Sequence, residues 1–275
     1  MKDFNGRIVY LVGGSSGIGL AVAKRLAARG AHVMIFARRK DRLEAARAEI
    51  DQEAHDSRQR VSCASMDVSD PEQAHAVLSA AMAEFGVPDV LINAAGRAYP
   101  RRFEDVNLAQ FRETLEVNLN GIWHAVQVLA PPMKAKGGLI VNVSSMAGLI
   151  GVFGYSDYCA SKFAVIGLSE ALRSELKPHR LRVLVLCPPD TDTPGFQVEN
   201  KTKPAETRAL SGQAVMQPDE VARALVRGME KERFIIIPGL GNRIVFFVKR
   251  LCPGLVFHFM DRTIRRVQSR RQPVP

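Results

Sequence analysis

Tyr158 and Lys162 stand four residues apart in the run Tyr155-Ser156-Asp157-Tyr158-Cys159-Ala160-Ser161-Lys162, and Ser145 lies thirteen residues upstream at the end of an apolar run. On a helix, a spacing of four puts both side chains on one face, roughly 6 Å apart along the axis, so that the ammonium sits beside the phenol. A neighbouring cation favours the phenolate; a free tyrosine titrates near pH ~10, and each unit removed corresponds to about 1.4 kcal/mol. With a serine hydroxyl to orient a carbonyl, the trio could make a carbonyl-reducing site. Tyr155 is excluded from that part, because the residue four positions on is Cys159. Ser144 adjoins Ser145, and the thirteen-residue offset to Tyr158 favours Ser145.

Seven short apolar runs, Ile8 to Val12, His32 to Phe36, Arg60 to Ser65, Val90 to Asn93, Leu139 to Val143, Val183 to Cys187 and Phe234 to Ile237, must position these residues. Between them lie segments with Ala, Leu and Val at helical spacing, such as Leu20 to Arg29, Asp41 to Glu53, Pro71 to Phe85 and Asp219 to Glu230. Strands alternating with helices predict an α/β doubly wound Rossmann fold, a seven-stranded parallel sheet with helices on both faces. No linker or repeat interrupts residues 1–242, read as one reductase domain. Residues 243–275 form a separate basic, apolar tail.

After the first strand comes Gly13-Gly14-Ser15-Ser16-Gly17-Ile18-Gly19, followed directly by an alanine-rich helical pattern. Glycines at 13, 17 and 19 let the backbone turn tightly and approach a pyrophosphate, which rests on the positive end of the helix; Ser15, Ser16 and Ile18 belong to the same cradle. The second strand ends at Phe36-Ala37-Arg38-Arg39, where a cofactor without a 2′-phosphate is usually met by Asp or Glu. Two guanidinium groups suit a 2′-phosphate, so NADPH is expected over NADH. The plainer alternative is a solvated helix start with Asp41 as partner; Arg42 either reinforces the phosphate site or faces water. Ligands in such a sheet gather beyond the carboxyl ends of the strands. There Asp67 and Val68 could meet the adenine, and Asn93, Ala94 and Gly96 could line the dinucleotide, while Asn118 falls within a predicted long helix.

Taken together, Gly13-x-x-x-Gly17-x-Gly19, Asn93-Ala94-Ala95-Gly96, Asn118, Ser145, Tyr158-x-x-x-Lys162 and the segment from Pro188 resemble the short-chain dehydrogenase/reductase family from Arg7 to Pro238. The resemblance implies that Tyr158 is the general acid. It further implies that Lys162 lowers the tyrosine pKa and holds the nicotinamide ribose, that Ser145 orients the carbonyl and that Asn118 helps a proton relay. Thr191 and Thr193 are expected at the nicotinamide carboxamide. Departures at Val12, Ala94 and Pro189 remove no reacting group. The stretch from Cys187 to Phe196, continued to Arg208, and the residues from Gly148 to Tyr158 are similar to the 3-ketodihydrosphingosine reductases. That similarity implies NADPH-dependent reduction of a long-chain sphingoid ketone. Asp190 or Asp192 could meet the substrate amine with Phe196 over the alkyl chain, or both aspartates could cap the next helix.

Composition narrows the partners. Of the net charge of +10, residues 243–275 hold eight Lys or Arg against one acid, Asp261, leaving about +3 for the rest. A basic face over the globular part would suggest nucleic acid; a basic tail rich in Phe, Leu, Ile and Val fits a membrane surface instead. The tail could alternatively dock on its own domain or across a dimer, and a homo-oligomer is expected from the family resemblance. Its apolar runs fall short of the ~18 to 20 residues that a spanning helix requires. The four cysteines are scattered without metal-like spacing, and the N-terminus resembles neither a signal peptide nor a membrane span. The expected setting is therefore a reducing, cytoplasmic one, peripheral to a membrane, with no structural metal.

Overall fold

The structure, a computed structural model, describes residues 3–211 and 214–270. Strands β1 (Ile8–Val12), β2 (His32–Ala37), β3 (Val61–Ser65), β4 (Val90–Asn93), β5 (Gly138–Val143), β6 (Leu181–Leu186) and β7 (Ile235–Ile236) form one sheet in the order β3-β2-β1-β4-β5-β6-β7. Every neighbouring pair is parallel. The helices are α1 (Gly17–Ala27), α2 (Lys40–Asp51), α3 (Pro71–Phe85), α4 (Leu108–Leu115), α5 (Gly121–Lys136), α6 (Ser156–Leu176), α7 (Pro194–Thr202), α8 (Ala205–Leu210), α9 (Pro218–Glu230), α10 (Leu240–Leu251) and α11 (Pro253–Ser269).

Alternation along the strands explains the two-sided sheet. Successive side chains point to opposite faces. Val9, Leu11, Val33, Ile35, Ile92 and Val141 enter one core beneath α1, α2 and α9. Tyr10, Val12, Met34, Phe36, Leu91 and Ile140 enter the other, beneath α3, α5 and α6. Because both faces are covered, the strands read as nearly continuous apolar runs. Each fully buried Val, Leu, Ile or Phe contributes about 1.5–3 kcal/mol, so an inserted residue that shifted one strand's register would disturb both cores.

The strand order reverses between β1 and β4, which places the loops after these two strands on either side of one crevice. A Cβ built on Gly13 would lie 2.5 Å from the Ala95 nitrogen, so the two loops touch there. The loop after β1 is also tied to the end of β2, since Gly13 N–H donates to Phe36 O at 2.7 Å. The predicted strand Phe234 to Ile237 shortens to two paired residues. The predicted long helix around Asn118 runs unbroken from Leu108 to Lys136, with a π-helical turn at Glu116–Asn120 between α4 and α5.

The C-terminal segment folds into α10 and α11, which pack on each other. α10 begins at Leu240, so the expected boundary after residue 242 falls in its first turn; residues 271–275 of the expected tail lie outside the described residues. Phe246 packs against Val185, Cys187 and Ile237, and Arg243 Nε donates to Ile237 O at 2.8 Å. α11 rests on α8. Among the described residues no helix is long and apolar enough to cross a membrane.

Candidate active site

The glycine loop meets the steric demands of a phosphate cradle. Gly17 has φ +55°, and a Cβ there would press on the Thr193 side chain at 2.8 Å. A Cβ on Gly19 would lie 2.2 Å from Gly13 O, so this position has no room for any side chain. Ser16 caps α1 with extended backbone and makes no side-chain capping bond, leaving the first amides of the helix directed at the crevice. These features fit a dinucleotide pyrophosphate. Ser15, Ser16 and Ile18 are partly exposed around the loop.

Arg38, Arg39 and Arg42 are exposed at the start of α2, next to the same crevice. Arg38 lies 3.8 Å from Asp67 at the end of β3. Asp67 accepts from Ser69 N–H and Oγ at 3.0 and 2.6 Å, while Val68 is buried and its carbonyl meets His124 Nδ1 at 2.9 Å. Asn93 is buried at the end of β4, and its Nδ2 donates to Asn142 Oδ1 at 2.9 Å. The side-chain amide ties β4 to β5, and its Oδ1 is a buried acceptor without a protein hydrogen bond. Ala94 and Gly96 lie at the crevice. A Cβ on Gly96 would meet Asn118 Oδ1 at 3.3 Å and Lys162 Nζ at 3.4 Å.

Asn118 is fully buried in the π-helical turn, a distortion that recurs at functional sites. Its Oδ1 accepts from Arg97 N–H at 2.8 Å, and its Nδ2 donates to Arg97 O and to Ser161 Oγ, each at 3.0 Å. It thereby clamps the loop after β4 onto α6, one residue before Lys162.

Tyr158 and Lys162 share a face of α6 as the spacing predicted, with Nζ 5.7 Å from the phenol ring centre. Lys162 is buried and donates to Val143 O at 2.9 Å. Ser145 caps the short turn after β5, accepting from Ala147 N–H at 3.1 Å, and its hydroxyl is close enough to the Tyr158 phenol to favour the phenolate. Opposing influences act on the Tyr158 phenol. Burial pushes the phenol well up, Glu199's charge adds to this, and the Ser145 bond offsets only part. Burial likewise pulls Lys162 down to about 8. Desolvation is the largest influence on both groups, and it favours the neutral form of each.

The segment after β6 reaches over this pair. Thr193, not Asp190 or Asp192, caps α7, accepting from Phe196 N–H at 3.1 Å. Thr191 Oγ1 donates to Pro189 O at 2.8 Å, so both threonine hydroxyls have local partners beside the crevice. Thr207 Oγ1 donates to Phe153 O at 2.7 Å, fastening α8 to the loop ahead of Tyr158. Asp192 is exposed, whereas Asp190 lies 3.5 Å from the buried ammonium of Lys203.

A short chain dehydrogenase family model matches residues 7–204, nearly three quarters of the chain. The chain belongs to this family. It is an oxidoreductase, and the matched region spans the glycine loop, Ser145, Tyr158 and Lys162. The chain is 42% identical over 233 residues to the 3-dehydrosphinganine reductase of Danio rerio, covering 84% of this chain and 70% of that one. It is 40% identical over 232 residues to the 3-ketodihydrosphingosine reductase of Bos taurus, covering 83% and 70%. Among solved structures, an alcohol dehydrogenase from Thermococcus sibiricus complexed with 5-hydroxy-NADP superimposes with a TM-score of 0.73 at 26% identity, covering 85% of this chain and 96% of that one.

Within this short-chain dehydrogenase, several residues of the site carry little sequence signal. Asp157 is buried and accepts from Thr114 Oγ1 at 2.9 Å, Gln110 Nε2 at 3.0 Å and Tyr158 N–H at 2.8 Å, fixing the start of α6 against α4. An acidic residue in the first turn of a helix was the one cue to it. Glu199 and Lys203 look like ordinary surface charges on an amphipathic helix until the fold turns them inward.

Proposed function

We propose that the protein reduces the ketone of 3-oxosphinganine to sphinganine with NADPH. The observation that carries this reading is the Ser145–Tyr158–Lys162 trio at the mouth of a dinucleotide cradle, in a chain whose relatives are 3-ketodihydrosphingosine reductases over most of its length. Gly13, Gly17 and Gly19 would hold the pyrophosphate. Arg38 and Arg39, with Arg42 behind them, would take the 2′-phosphate, as the NADP-type ligand of the Thermococcus sibiricus structure makes reasonable.

When bound, NADPH supplies the hydride. The chain's own residues do the rest. Ser145 Oγ holds the carbonyl oxygen against Tyr158 Oη, and Tyr158 donates its proton to that oxygen as negative charge develops on it. A phenol pushed up by burial is protonated at neutral pH, which is the form an acid needs. Lys162 keeps a positive charge close to the oxygen and the nicotinamide ribose. Asn118 holds the loop and α6 in register, through which a replacement proton would reach the tyrosine.

The outer stripe of α10, Leu240, Ile244, Val245, Phe247 and Leu251, is exposed, and Arg243, Lys249 and Arg250 flank it. An apolar stripe bordered by cations suits the surface of an anionic bilayer, where the alkyl chain of the substrate partitions. The docking of α10 and α11 on the domain is compatible with this role, since the stripe faces outward. Exposed Phe111, Trp123 and Phe163 on α4, α5 and α6 support self-association through that face.

A panel of ketones with NADPH and purified protein tests the substrate. Turnover of 3-oxosphinganine well above that of a steroid, a retinoid and a 3-oxoacyl thioester is expected. Brisk turnover of one of those with none of 3-oxosphinganine rejects the assignment.

A further inference from the structure

Above the catalytic phenol lies a charged cluster that the trio does not use. The Tyr155 and Tyr158 rings are 5.6 Å apart, and Tyr155 Oη donates to Glu199 Oε1. Lys203, with its side chain almost wholly buried, places Nζ 3.3 Å from Glu199 Oε1, 3.5 Å from Asp190 Oδ2 and 4.1 Å from the centre of the Phe196 ring. Two carboxylates thus share one ammonium, leaving a surplus negative charge beside the reacting centre. Its effect reaches Tyr158, where Glu199 acts more strongly than Asp190.

We infer that Glu199 is the residue that selects for a cationic group on the carbon next to the ketone, so that the site prefers α-ammonio ketones to neutral ones. This rests on the proposed reduction of such a ketone at Tyr158. The Tyr155 and Tyr158 rings are neighbours and Tyr155 holds Glu199, so an ammonium one carbon from a carbonyl held at Tyr158 and Ser145 could reach that carboxylate past Tyr155. Burial raises the proton affinity of Glu199, and an arriving cation would favour its ionised form and balance the second carboxylate beside Lys203. Tyr155 then has a purpose that its Cys159 neighbour denies it in proton transfer: its hydroxyl aims the carboxylate. Asp190 is the weaker candidate, being one-third exposed and held by its backbone to Met216.

The test compares 3-oxosphinganine with its N-acetyl derivative, which keeps the ketone and chain but carries no charge. Wild-type protein, Glu199→Gln and Asp190→Asn are each assayed with NADPH; the glutamine can still accept from Tyr155. The expected result is that Glu199→Gln lowers the preference for the charged ketone by about 10- to 100-fold, mainly through KM, as loss of a hydrogen bond to a charged group implies. A smaller change is expected for Asp190→Asn. Equal losses on both ketones in Glu199→Gln, or a larger effect in Asp190→Asn, overturn the inference. Wild-type protein that reduces the neutral ketone as well as the charged one overturns it while leaving the reductase reading intact. Wild-type protein that reduces neither overturns both.

Discussion

Burial acts on Tyr158 and Lys162 in the same way chemically and in opposite directions on the pH scale: each is driven toward its neutral form. With the tyrosine pushed up by burial and the lysine pulled down, the proposed mechanism assigns the titration nearest neutrality to the lysine. Below about pH 8 Lys162 is charged in the free protein, and above it the charge is lost. Because kcat/KM for the cofactor reports groups of the free enzyme, its pH profile should fall on the alkaline side with a limb near 8. A profile flat up to the ordinary lysine range contradicts the role given to that charge. The same shift has a thermodynamic sign. The unfolded chain holds the lysine proton longer than the folded one, so this group makes stability rise with pH from about 8 toward 10.5. The shared face of Tyr158 and Lys162 was legible from spacing, because a separation of four fixes a helix face. Their protonation was not, since a cation's proximity can be read from sequence and desolvation cannot.

Between the first strand and helix, one steric constraint holds the cofactor loop together. Gly19 faces Gly13 O at a separation that excludes a methyl group. Gly19→Ala is expected to destabilise the protein by about 1–3 kcal/mol, the range for overpacking, and to abolish NADPH binding, read by denaturant midpoint and nucleotide fluorescence. Retained binding at unchanged stability contradicts the cradle. Most elements were legible because both faces of the sheet are covered, so the strands stand out as apolar runs between helical patterns, and α3 matches its expected bounds from Pro71 to Phe85. Others were hidden for physical reasons. The π-helical turn at Asn118 adds one residue to a helix without altering its composition, and α7 and α8 are short, with buried polar residues such as Glu206 and Thr207. The bond from Asn93 to Asn142 was hidden too, because it joins two strands distant in the chain.

At the scale of the whole molecule, charge and apolar surface are concentrated at the C-terminal end, and the structure gives this region a definite place. Its basic, apolar character was readable from composition; its contact with α8, and through α8 with the loop ahead of Tyr158, was not, because that contact joins segments distant in the chain. Phe247→Ser combined with Leu251→Ser should reduce co-sedimentation with anionic vesicles while leaving turnover of a dispersed short-chain ketone near wild type. Unchanged vesicle binding rejects the membrane role, and lost turnover in solution would instead mark α10 as a structural support of the site. Added salt should weaken vesicle binding, since each Lys or Arg near the surface contributes about 1 kcal/mol. The claim on which the rest depends is that Tyr158 protonates a long-chain ketone at this site. Steady-state reduction of 3-oxosphinganine by NADPH, measured for wild-type protein and Tyr158→Phe, tests it directly. A fall in kcat of about 10²- to 10⁴-fold with NADPH binding retained is the predicted result, and a variant that turns the ketone over at the wild-type rate contradicts it.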